Sequence, residues 1–81
     1  MEMKKDRLQH AILNTLYDWY TDDYGKQVQG QAVSFAQKTL REQGWKGLGN
    51  LNDFENLCEN AGFKIIQGRN ERGNHARVVT I

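Results

Sequence analysis

Phe63-Lys64-Ile65-Ile66-Gln67-Gly68-Arg69-Asn70-Glu71-Arg72-Gly73-Asn74-His75-Ala76-Arg77-Val78-Val79-Thr80-Ile81 decides how this chain is read. Phe63 to Gln67 is short and rich in β-branched residues, and His75 to Ile81 favours strand again. Between them, Gly68 to Asn74 is polar and carries two glycines. Two such runs around a Gly/Asn-rich connection predict a β-hairpin. A lone hairpin is marginal in water, so this one needs helices to pack against.

The residues upstream supply them. Leu51, Phe54, Leu57, Cys58 and Ala61 share one face of a helix that ends at Gly62. Asn50 or Asn52 is its cap, and Asp53 and Glu55 suit the positive end of its dipole. Before it, Gly44-Trp45-Lys46-Gly47-Leu48-Gly49-Asn50 holds three glycines and forms no regular element. Val28, Ala32, Phe35, Ala36 and Leu40 mark a second helix from Gln27 or Gln31 to Gln43, with Gly30 weakening its first turn and Gly44 at its C′ position. Leu8, Ile12, Leu16 and then Trp19 or Tyr20 mark a first helix from Asp6, its N-cap, to Tyr20, closed by the polar segment Thr21 to Gly25. Trp19 and Phe35 are expected to fill the core with Phe54 and Phe63, which leaves one or both of Tyr17 and Tyr20 exposed.

Length and composition bound the answer. The chain has 81 residues, room for a single domain over 1–81. A single cysteine, Cys58, excludes an internal disulfide and points to a reducing, cytoplasmic setting. Its helical spacing makes Cys58 a core residue and not a nucleophile. The charged start Met1 to Arg7 precedes no long apolar run, so neither a signal peptide nor a membrane span is expected. His10 and His75 stand far apart with one cysteine, which makes no zinc pattern, and Asp18, Asp22 and Asp23 lack the spacing of a calcium loop. No convergent acid, base and nucleophile stand out, so the chain is read as neither an enzyme nor a cofactor protein.

Net charge is +1, but the charges are sorted. Residues 26–50 hold four basic side chains against one acidic, and residues 63–81 hold Lys64, Arg69, Arg72 and Arg77 against Glu71. Residues 51–62 hold Asp53, Glu55 and Glu59 with no base.

Helix, glycine turn, helix and hairpin in immediate succession resemble a winged helix-turn-helix domain. The residues behind the comparison are Ala32-Val33-Ser34-Phe35-Ala36 with Leu40, the Gly44–Gly49 turn, Leu51 to Leu57, and Ala61-Gly62-Phe63, with 63–81 as the wing. The resemblance implies an α+β fold, a three-helix core with a C-terminal β-hairpin wing. It also implies a DNA-binding regulator of transcription, with 51–62 as the recognition helix and the wing on the adjacent backbone or minor groove. On that reading Asn50, Asn52 and Asn56 contact bases, because an amide pairs bidentately with adenine. Arg69, Asn70, Arg72, His75 and Arg77 contact the backbone from the wing, and Lys38, Arg41 and Lys46 extend the same surface. Double-stranded DNA is the expected partner, with RNA as a variant, and many such regulators pair through their first helix, here 6–20, as homodimers. The acidic helix departs from the pattern, since duplex carries one negative charge per about 1.7 Å. That departure supports an alternative, a protein-binding adaptor or inhibitor docking through 51–62.

Overall fold

The computed structural model describes residues 4–81, with side chains from Arg7 onward. The chain runs α1 (Lys4–Leu13), β1 (Asp18–Asp22), β2 (Gln27–Ala32), α2 (Val33–Glu42), α3 (Leu51–Asn60), β3 (Lys64–Arg69) and β4 (His75–Thr80). The class is α+β, and the C-terminal hairpin forms where expected. All strand pairs are antiparallel, and the four strands close in the order β1-β2-β4-β3, with β1 returning to β3.

The first hairpin corrects the sequence reading. Residues 18–22 were expected to finish a helix and 27–32 to begin one; both are strands. The helix stops at Leu13, and the buried Thr15 donates its hydroxyl to the Ile12 carbonyl at 2.7 Å, serving one of the carbonyls freed at the helix end. Asp6 was expected as the N-cap; the helix is already formed at Lys4, so Asp6 lies within it, and its side chain lies outside the described residues. Ile12 and Leu16 are buried as the apolar stripe requires, but Trp19, expected in the core, is 60% exposed on β1, and Phe35 is 45% exposed on α2. Phe54 and Phe63 are buried. Helical spacing linked Leu16 to Trp19 by coincidence: Leu16 reaches the core from the connection after α1.

The remaining helix ends follow local rules. Gly44, at φ +95°, ends α2, with its N–H donating to the Arg41 carbonyl and that of Trp45 donating to Leu40. Gly62, at φ +98°, ends α3 in the same way, its N–H and that of Phe63 donating to Glu59 and Cys58. Both are Schellman closures, which only a residue at home in the left-handed region completes without strain. In each, the next residue is an aromatic that folds back on the core.

Sheet alternation sorts β4 between two environments. Val79 lies opposite Ile65 and joins the helix-facing core with Ile12, Val33, Leu40, Phe54 and Cys58. Val78 points to the other face and fills the barrel between Gly30 and Gly68. A Cβ on Gly30 would lie 2.5 Å from the Val79 carbonyl oxygen and 2.7 Å from Val78 Cγ1, and one on Gly68 would lie 2.9 Å from the Thr21 carbonyl oxygen. Both glycines therefore serve close approach of strands. Gly30→Ala is expected to destabilise the protein by about 1–3 kcal/mol through overpacking, read as a lower urea midpoint, whereas alanine at the exposed Ser34 should leave the midpoint near that of wild type.

Candidate nucleic-acid interface

Asn70 to Asn74 form the tip of the β3–β4 hairpin. Asn70 Oδ1 accepts from the backbone N–H of Arg72 at 2.9 Å and of Asn74 at 3.0 Å, Gly73 sits at φ +80°, and Arg69 Nη1 donates to the Gly73 carbonyl at 2.9 Å. The β1–β2 turn is built alike, with Asp22 Oδ1 accepting from the N–H groups of Tyr24 and Lys26 and Gly25 also at φ +80°. Asp22 thus shapes a turn. Asn70, expected to touch nucleic acid, spends its oxygen on holding the tip.

Asn50 is similarly engaged. It caps α3, its Oδ1 accepting from the Asp53 N–H at 2.9 Å while the Asp53 carboxylate accepts from the Asn50 N–H at 3.4 Å. This capping box takes Asn50 out of the set of free amides and leaves Asn52 and Asn56 exposed on α3.

Arg77 is not at the tip but within β4, where Nε and Nη2 donate to Glu55 Oε2 and Oε1 at 2.7 and 2.8 Å. The fork is bidentate, the geometry in which a guanidinium binds a carboxylate best. The Glu55 side chain is 13% exposed, and hydrogen bonding to Arg77 holds its carboxyl below the usual value of 4.5. One charge of the acidic helix is thereby neutralised by one charge of the wing. Arg41 donates to the Gly49 carbonyl beside Gln37, which ties it to the glycine turn. Lys38 is exposed on α2. Lys46 is exposed on that turn, at the rim of an apolar groove of about 350 Å³ that includes Leu8, Trp45, Leu48 and Leu57.

The expected residues therefore divide. Arg69, Arg72 and His75 stand together at the tip end of the hairpin, with Arg69 and His75 directly paired across the strands. Lys38, Arg41 and Lys46 belong to α2 and the glycine turn, and Asn52 and Asn56 to α3.

A neighbour of the tip escaped the sequence reading. β1 pairs with β3 at Thr21↔Arg69 and Asp22↔Gly68, and the N-terminal half of β1 runs on past that pairing beside the tip. There a cleft of about 310 Å³ opens between Asp18, Trp19 and Tyr20 on one side and Asn70, Glu71, Arg72 and Asn74 on the other. The β1 wall is held from below. Tyr20 donates its hydroxyl to Gln31 Oε1 at 2.9 Å, and the buried Gln31 donates from Nε2 to Asp18 Oδ2 at 3.3 Å and to the Thr15 carbonyl at 3.4 Å. Burial pushes the Tyr20 phenol up from its ordinary value of 10.0. No signal in the sequence marked Trp19 for this place, because helical spacing assigned it to the core.

Cys58 is fully buried, and desolvation with Glu55 and Glu59 nearby pushes its thiol up to about 12. Among the described residues, no group of three or more His, Cys, Asp or Glu is placed to hold a metal ion, and no helix is long and apolar enough to cross a membrane. Comparison with protein-family models, curated proteins and solved structures finds no match.

The Glu55–Arg77 pair has a pH signature. Because the folded carboxyl titrates below its unfolded value, its contribution is present above about pH 4.5 and is lost as pH falls through the folded value. Glu55→Gln should cost about 0.5–1 kcal/mol at neutral pH and make the loss of stability on acidification less steep. Urea midpoints across a pH series check both.

Proposed function

We propose that this chain binds nucleic acid with the β3–β4 hairpin leading, as a variant of the winged helix-turn-helix in which a second hairpin, β1–β2, precedes α2. The observation that carries the reading is the tip itself: Arg69, Arg72 and His75 gathered on a turn braced by the Asn70 side-chain oxygen and by the Arg69 bond to the Gly73 carbonyl. A preformed turn spends little ordering entropy when it meets a phosphate backbone. The order α2, glycine turn, α3, β3, β4 and the pairing of β2 with β4 support the winged comparison. In this reading the wing holds the backbone and α3 contributes Asn52 and Asn56 alone, since Asn50 is a cap and Arg77 is committed to Glu55. A DNA-binding regulator of transcription is the role that follows. The adaptor alternative draws on the acid of α3, which is less negative than its composition implies once Arg77 sits on Glu55.

Binding of a short duplex and of its separated strands, followed over a salt series, tests the reading. Arg69→Ala with Arg72→Ala should weaken binding at low salt and lower the salt slope by about two, one for each phosphate left without its arginine. Arg77→Ala should lower stability and leave the slope nearly unchanged. A wild-type chain that binds neither form at low salt overturns the proposal.

A further inference from the structure

We propose that the cleft between β1 and the β3–β4 tip takes one unpaired base of a single strand, with Trp19 as the stacking platform, Arg72 on the neighbouring phosphate and Glu71 accepting from the exocyclic amino group. The inference rests on the nucleic-acid reading above and names the form of substrate that it would take.

Three observations converge on it. First, an indole that is 60% exposed stands on a strand whose other residues are polar, beside a guanidinium for which no ion pair is seen among the described residues. Aromatic side chains next to arginine are how sequence-tolerant single-strand sites hold bases, since every base has a π-face. Second, the cleft of about 310 Å³ lies near the lower end of ligand pockets at about 300–1,000 Å³, a size suited to a single base. Third, both walls are preorganised: β1 by the Tyr20–Gln31–Asp18 hydrogen bonds, the tip by the oxygen of Asn70. Docking a base costs little rearrangement there.

The carboxylates set the preference. Asp18 already accepts from Gln31, whereas Glu71 is exposed on the tip. A carboxylate accepts and never donates at neutral pH, so a base edge with an amino group is favoured over one with a carbonyl in the same place. Cytosine and uracil differ at position 4, amino against carbonyl, and at N3, where cytosine accepts and uracil donates; the preference follows with position 4 set against Glu71.

The test uses the full chain with short oligocytidine, short oligouridine and a blunt duplex. Oligocytidine should bind more tightly than oligouridine, and Glu71→Gln should narrow that difference. Trp19→Ala should weaken both single strands about tenfold and leave duplex binding unchanged, while Trp19→Phe, which keeps a ring, falls in between. Single strands should quench indole emission in wild type and not in Trp19→Phe. Trp19 is exposed, so these variants should fold, as circular dichroism would verify. If Trp19→Ala binds single strands as wild type does while the Arg69/Arg72 variant is weakened, the cleft is overturned and the backbone reading stands. If wild type binds no strand of either form, both are overturned.

Discussion

The closure of four short strands around Val78 is the constraint from which the rest of this structure follows. Strands of five and six residues enclose no interior unless their backbones come very close, and Gly30 and Gly68 permit that on two sides of one valine. Closure pairs β1 with β3 and β2 with β4, so no hairpin stands alone and every strand has two neighbours. It also fixes where the helices sit. Once Val78 is committed to the barrel, alternation sends Val79 to the other face, and there it meets the apolar sides of α1, α2 and α3.

The same closure places charges that lie apart in the chain. The acidic block at 51–62 and the basic block at 63–81 are successive in sequence, and folding sets α3 against the sheet so that Glu55 meets Arg77. The pair ties helix to sheet at a partly solvated site, where its energetic worth is modest and its effect on the surface is larger. It removes one negative charge from α3 and one positive charge from the sheet. Arg69 and Arg72 keep their charges beside Glu71 and His75, on a tip braced by its own asparagine. The return of β1 to β3 then sets Trp19 and Tyr20 beside that tip, and the buried Gln31 holds Asp18 and Tyr20 on either side of Trp19. Closure, charge pairing and the cleft are consequences of one topology.

The features legible in the order of residues are local ones. The C-terminal ends of α2 and α3 and the start of α3 were legible because Gly44, Gly62 and Asn50 act on their own neighbours, through Schellman closures and a capping box that need no distant partner. The C-terminal hairpin was legible because Ile65, Ile66, Val78 and Val79 flank a turn rich in Gly and Asn, and Cys58 was placed in the core by its spacing from Phe54 and Ala61. The three-dimensional arrangement settled what no window of sequence contains. Residues 18–22 and 27–32 carry few β-branched side chains and three glutamines, and they become strands because β3 and β4 offer them hydrogen-bonding edges. Trp19 leaves the core for the same reason, Gly30 serves a close approach in place of a helix defect, and Arg77 finds a carboxylate 22 positions away. Caps and turns are satisfied within a few residues, whereas strand pairing, ion pairing and clefts depend on which distant segments meet. That is settled only when the whole chain closes on itself.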